Sequence, residues 1–309
     1  MMACVFPGQG SQAVGMGRPL VAASPDAAEV FSQADAALGF PLSTVMFEGP
    51  AETLILTEHT QPAILTMSTA VWRVLERRGI RPDYVAGHSL GEYSAHVAAG
   101  TLAFADAVRL VRNRGRYMQE AVPVGTGAMA AILGLEEADV AAACLDAAQG
   151  AIVSPANLNG AGQIVIAGHA EAVARAGDAC KARGARRVIP LKVSAPFHCA
   201  LMNPARDRLR PELEQVPTSD PRIPVVANVD AEPRMTATSA IDALISQVSH
   251  PVRWEATVQW LVSRGVDTFI EVGPGAVLSG LIGKVAREAR VLSVETPEDV
   301  EAAVAALNL

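Results

Sequence analysis

Gly87-His88-Ser89-Leu90-Gly91 fits the pattern G-x-S-x-G. In that pattern small glycines let a strand turn abruptly into a helix and leave a serine hydroxyl exposed at the corner. The helix that follows aims its first amides at the spot where a tetrahedral oxyanion would form. The plainer reading of the pentapeptide is a turn. A serine hydroxyl is a poor nucleophile until a base takes its proton, so a histidine must come from elsewhere in the chain. Of the six histidines, His88 sits inside the elbow, and His96, about two turns into the next helix, is expected to be packed. His59, His169 and His250 occupy loop-like or element-end positions that suit exposed structural histidines. His198 follows Ala195-Pro196-Phe197, where a predicted strand gives way to a loop of the kind that presents catalytic groups. Spacing alone leaves the choice open.

A second chemical signal is an arginine in the wrong place. On the helix expected around 103–121, Ala103, Ala107, Leu110, Val111, Tyr117, Met118 and Ala121 share one apolar face at about 100° per residue. Arg114 falls near the middle of that face, whereas Arg109, Arg112 and Arg116 cluster on the opposite, solvated side. A guanidinium among apolar neighbours needs an anion, and its planar fork suits a carboxylate. That anion is either a ligand or an internal Asp or Glu in a structural ion pair. Pro7-Gly8-Gln9-Gly10-Ser11-Gln12 is a glycine turn able to bring backbone amides near a ligand, but it does not match GxGxxG, and no Walker lysine is present. GPGAVLSG at 273–280 reads as a structural turn, and Asn157 and Asn159, beside Gly160 and Gly162, read first as turn chemistry.

These residues need a scaffold, and the pattern of elements supplies one. Strand-like Cys4–Phe6 precedes the glycine turn, a helix is expected over about 62–78, and Tyr84–Ala86 is a strand that runs into the elbow. From about Gly127 shorter units follow in the order β-α-β-β-α-β, the split βαβ signature of a ferredoxin-like unit. The expected architecture is α/β, with a discontinuous large domain over 1–125 and 195–309 and an inserted small subdomain over 126–194. A chain of 309 residues that is 50% hydrophobic and 18% charged is globular. Its net charge of −7 gives no global attraction to nucleic acid or to an anionic membrane. The four cysteines form no CxxC pair and the histidines no ligand spacing, so neither zinc nor a disulfide framework is expected. No signal peptide and no apolar run of about 18 residues is seen, which reads as a cytoplasmic protein with reduced thiols.

Taken together, FPGQGSQ, QPA at 61–63, AGHSLGEYSA, the stretch Arg114–Pro123, GAMAAILGL, QIVIAGH, PFHCALM and EVGPGAVL occur in an order that resembles the malonyl-CoA:acyl carrier protein transacylases of bacterial fatty acid synthesis. The resemblance covers nearly the whole chain and implies an α/β-hydrolase-like large domain with a ferredoxin-like insert. It also implies roles. Ser89 would be the acylated nucleophile, His198 its general base and acid, and Arg114 the grip on the free malonyl carboxylate. Backbone amides of Gln9 and Leu90 would form the oxyanion hole, Gln247 would help to orient the histidine through a neutral group, and Phe197 would limit the acyl group to malonyl size.

The implied partners are malonyl-CoA, as a substrate, and acyl carrier protein, with no cofactor, no metal and a monomeric enzyme. Carrier proteins of this kind are acidic, so an acidic enzyme needs a local basic patch. Residues 175–192 hold Arg175, Lys181, Arg183, Arg186, Arg187 and Lys192 against one acid, Asp178. They form either a docking surface or merely a solvated face. A discrete acyltransferase of a polyketide pathway and a serine thioesterase or hydrolase are the rival readings, with a non-catalytic carrier-binding module behind them.

Overall fold

A computed structural model describes residues 1–123, 125–191, 193 and 195–308. Its strands are β1 (Met2–Phe6), β2 (Tyr84–Gly87), β3 (Gly127–Leu133), β4 (Val153–Leu158), β5 (Gln163–His169), β6 (Arg187–Pro190), β7 (Val225–Val226), β8 (Pro233–Arg234), β9 (Thr268–Val272) and β10 (Arg290–Val294). They form two sheets. The larger has the order β10-β9-β1-β2-β7-β8, parallel throughout except for β8, which pairs antiparallel with β7 at one edge.

A parallel sheet is covered on both faces, and β1 shows why its sequence is a continuous apolar run. Cys4 and Phe6 join a core with Ile64, Leu65 and Tyr93 on one face, while Ala3 and Val5 join Trp254, Val258 and Phe269 on the other. All four strand residues are fully buried. The same alternation that would leave a half-polar strand in an open sheet here feeds two cores.

The smaller sheet is antiparallel, in the order β4-β5-β3-β6, with the helices Glu137–Ala148 and Ala170–Ala182 packed on its own core of Ile132, Val140, Cys144, Ile166, Val173 and Cys180. This is the ferredoxin-like arrangement expected from the β-α-β-β-α-β order. All four cysteines are buried and free. No helix among the described residues is long and apolar enough to cross a membrane.

One expected boundary moves. The helix placed at about 62–78 spans Thr57–Arg77, so Pro62 lies inside it and not at its start. Pro62 lacks the N–H for one bond of the ladder. That leaves the Glu58 carbonyl without its helical donor, and the buried face from Thr60 to Leu75 keeps the helix in register.

Candidate active site

The elbow is built by close approach of backbone. A Cβ on Gly87 would lie 1.9 Å from the carbonyl carbon of Gly91, one on Gly91 would lie 2.0 Å from the carbonyl oxygen of Phe6, and one on Gly8 would lie 2.5 Å from that of His88. No side chain fits in any of the three places, which is why the turn between β2 and the helix Leu90–Ala98 requires glycine there. Ser89 between them adopts φ 53°, ψ −106°, a conformation that costs a non-glycine residue about 1–3 kcal/mol and persists only when its surroundings hold it. Asn228 does so with a single amide. Its Oδ1 accepts from the Ser89 N–H at 2.7 Å, and its Nδ2 donates to the Gly87 carbonyl at 2.7 Å.

His198 meets Ser89 from the segment that follows Phe197, also at positive φ, 59°. Its Nε2 lies 2.6 Å from Ser89 Oγ and its Nδ1 lies 3.0 Å from the main-chain carbonyl of Gln247. A carbonyl can only accept, so Nδ1 carries the proton and Nε2 presents its lone pair to the serine hydroxyl. Burial, followed by the charge of Arg114, brings the pKa of this imidazole down to about 3. The group facing Ser89 is therefore a neutral base.

Arg114 lies on the helix Phe104–Glu120, 1% exposed. It donates to Gln61 Oε1 at 2.8 Å, to Gln247 Oε1 at 2.9 Å and to Ser89 Oγ at 3.2 Å, and its guanidinium carbon sits 5.4 Å from the centre of the Tyr93 ring. Among the described residues it makes no ion pair, so the internal salt bridge left open by the sequence is not formed. Its Nε is buried with no hydrogen-bond partner among the described residues. Burial lowers its pKa, while Tyr93 and Glu92 act in the opposite sense. The cation is thus held by neutral oxygens beside a serine hydroxyl, with no carboxylate in hydrogen-bond contact among the described residues.

These groups open into a cavity of about 380 Å³ that Gln9, Leu90, Phe197 and the apolar side chains of Met118, Leu191 and Leu281 also line. Leu90 is the first residue of its helix, so its N–H has no acceptor within that helix. Gln247, at the end of the helix Ala237–Gln247, contributes twice, its carbonyl to His198 and its side chain to Arg114.

The other histidines have partners of their own, although His88 also lines the cavity. His88 is 2.9 Å from Asn159 Oδ1, with Asn157 Nδ2 at 3.5 Å, so the two asparagines read as turn residues both line the cavity and reach the histidine inside the elbow. His96 is fully buried against Thr101, His59 packs on Phe40, His169 accepts from the Ile152 N–H, and His250 bonds to Ser246.

Three residues of the site escaped the sequence reading. Asn228 carries no local signal beyond its position after an apolar strand, and Gln61, although it opens the QPA segment, is given no role there. Glu92, in the first turn of the elbow helix, reads as an acid complementing the helix dipole. In the structure it is fully buried, its Oε2 accepting from Gln247 Nε2 at 2.7 Å and the Asn228 N–H at 3.0 Å, and burial pushes its pKa up to about 7.

The basic segment is less free than its composition suggests. Lys181 pairs with Asp178 at 3.0 Å, and Arg183 with Asp146, supplied by the neighbouring helix, at 2.6 Å. Arg175 donates to the carbonyls of Ala147 and Ala148. Arg186 and Arg187 are exposed and make no ion pair among the described residues, and Lys192 lies outside those residues. No group of three or more His, Cys, Asp or Glu among the described residues is placed to hold a metal ion.

The parallel sheet with its serine elbow, apart from Met2, and the antiparallel subdomain beside it lie within residues 3–304, which the family model described as the acyl transferase domain matches, so the chain is an acyl transferase by family. The malonyl CoA-acyl carrier protein transacylase of Salmonella typhimurium is 52% identical over 303 residues, 98% of each chain. The solved structure of the malonyl CoA-acyl carrier protein transacylase from Coxiella burnetii superposes with a TM-score of 0.97 at 45% identity, covering 100% of this chain and 98% of that one. A malonyl-transacylase solved in complex with a type II PKS acyl-carrier protein matches with a TM-score of 0.97 at 48% identity, over 99% of both chains. The chain belongs to the family of malonyl CoA-acyl carrier protein transacylases.

Proposed function

We propose that the chain moves a malonyl group from malonyl-CoA to the phosphopantetheine thiol of an acyl carrier protein through an acyl-serine, in bacterial fatty acid synthesis. In the first step Ser89 Oγ attacks the thioester carbonyl as His198 Nε2 takes the hydroxyl proton. The carbonyl oxygen becomes an oxyanion facing the backbone amides of Gln9 and Leu90. The C–S bond then breaks, and His198 returns the proton to the departing coenzyme A thiolate. In the second step the carrier thiol gives its proton to His198, its sulfur attacks the acyl-serine, and Ser89 leaves with the proton restored. Thioester is exchanged for thioester, so the two half-reactions balance without a cofactor.

The observation that carries this reading is Arg114, a buried guanidinium with no acid partner among the described residues, 3.2 Å from Ser89 Oγ. A diacid half-thioester supplies the missing anion, and pairing it there orients the reacting carbonyl. Phe197, 9% exposed at the cavity wall, restricts space beside the acyl group. One extra methyl is worth only about 1–3 kcal/mol, so methylmalonyl is slowed and not abolished.

In the same reading the two segments 1–125 and 195–309 form the domain that carries the chemistry, and 126–194 forms the smaller one, which contributes a cavity wall. In this reading the enzyme acts as a monomer in the cytoplasm. The carrier protein docks on the basic segment of the small subdomain, with Arg186 and Arg187 as the free cations beside Lys181 and Arg183. The similarity to a transacylase that serves a polyketide carrier makes the polyketide pathway the rival setting for the same chemistry.

The test is acyl transfer by wild type and Arg114→Ala with malonyl-CoA and acetyl-CoA, with mass spectrometry of the acyl-enzyme. We expect malonyl on Ser89, none on Ser89→Ala, and a loss of at least about 100-fold confined to malonyl-CoA in Arg114→Ala. Equal loss on both substrates would make Arg114 structural. Rapid multi-turnover release of malonate without carrier protein would point to a hydrolase.

A further inference from the structure

The Gln247 side chain can sit in either of two orientations, and only one serves Arg114. Its Nε2 donates to Glu92 Oε2 at 2.7 Å and to the Ser89 carbonyl at 2.9 Å, with Asn228 Oδ1 at 3.3 Å, which leaves Oε1 to accept from Arg114 at 2.9 Å. Turned over, the amide would set its N–H groups against guanidinium N–H groups, and Arg114 would lose one of its oxygen partners.

Glu92 makes the shortest of the contacts that prevent this and is the carboxyl group among these partners. It also accepts the Asn228 N–H at 3.0 Å, so one oxygen ties together the amide beside Arg114 and the residue that grips the elbow. A buried carboxyl is expensive unless its bonds repay desolvation, and Oε1 of Glu92 has no hydrogen-bond partner among the described residues. An apolar residue would sit more cheaply at this position if packing were its whole purpose.

We propose that Glu92 is a positioning residue for Arg114: through the Gln247 amide it sets the direction of the guanidinium and thereby the preference for acyl groups that carry a free carboxylate. This rests on the reading of Arg114 given above.

The readout is the ratio of kcat/KM for malonyl-CoA to that for acetyl-CoA, which lacks the carboxylate. Glu92→Leu removes the acceptor and should lower the ratio about tenfold, through a higher KM for malonyl-CoA. Glu92→Gln can place its amide oxygen where Oε2 lies and should restore the ratio to within about twofold of wild type. If Glu92→Leu does not fold, Glu92→Asp carries the test, because it keeps the carboxyl but withdraws it from Gln247, and the ratio should again fall. A fall shared equally by both substrates, or an unchanged ratio in a folded Leu or Asp variant, overturns the proposal. Arg114→Ala, measured alongside, separates the two ideas. If that variant loses both substrates equally, the reading of Arg114 fails. If it is selective while the Glu92 variants are not, only the role of Glu92 falls.

Discussion

Ser89, His198 and Arg114 each occupy a state that water or an ordinary chain would not favour. Two have positive φ, and the third is a cation with 1% exposure. The cost is met by neighbours that differ in kind: an asparagine amide for Ser89, a main-chain carbonyl for His198, and two glutamine side-chain oxygens for Arg114. The imidazole carries the most direct consequence. With a pKa near 3 in place of 6.5, it stays deprotonated in the free enzyme well below neutrality and remains able to accept the serine proton. We therefore expect kcat/KM for malonyl-CoA to stay level from pH 8 down through 6.5, and to lose no activity to histidine protonation until far more acid conditions. Stopped-flow acylation across that range checks it. A decline centred near 6.5 would come either from His198 titrating at its ordinary value or from Glu92, whose pKa burial raises to about 7, and Glu92→Gln, which cannot titrate, separates the two.

At the scale of elements, the site depends on helices that begin where strands end. The elbow helix Leu90–Ala98 follows β2, and the helix Val277–Val285, which follows β9, brings Val277, Leu278 and Leu281 to the cavity. Glu271, fully buried on β9, accepts the N–H groups of Leu278 at 3.0 Å and Ser279 at 2.7 Å, together with the Ser279 hydroxyl at 2.7 Å. It thus serves the first turn of that helix as a cap from a distance. Glu271→Ala leaves those amides buried and unpaired, and we expect a stability loss of about 1–3 kcal/mol in urea unfolding. The loosened wall should also raise KM for malonyl-CoA more than it lowers kcat. An unchanged unfolding midpoint would mean that water replaces the carboxylate without cost.

For the whole molecule, charge and shape act in opposite directions. A net charge of −7 repels an acidic partner, so a local basic field is needed, and the proposed docking surface puts it on the small subdomain. The fold spends part of that field internally, through Asp146 and Asp178, and leaves Arg186 and Arg187 without acid partners among the described residues. Replacing Lys181, Arg183 and Arg186 with Glu should raise KM for carrier protein about tenfold at low salt, less at high salt, and leave malonyl loading of Ser89 from malonyl-CoA unchanged. Unchanged kinetics toward the carrier would place docking elsewhere on the surface.

The chain alone determined what is local. The alternation of strands and helices, the change to β-α-β-β-α-β near Gly127, the glycine-flanked serine and the arginine on an apolar helix face are all periodic or short-range features, and periodicity is written in neighbouring residues. The helix start at Thr57 in place of about Pro62 shows the limit of such rules, since burial along a whole face outweighed one missing amide bond. Only the tertiary structure decided the partners. Ser89 and Glu92 share the elbow, but His198, Arg114, Gln247 and Asn228 reach it from distant segments, and nothing in a linear pattern says that an asparagine after β7 braces an elbow after β2, or that Glu92 faces inward. Desolvation and hydrogen-bond satisfaction are properties of surroundings. The surroundings of each of these groups exist only once the sheet has brought its strands together.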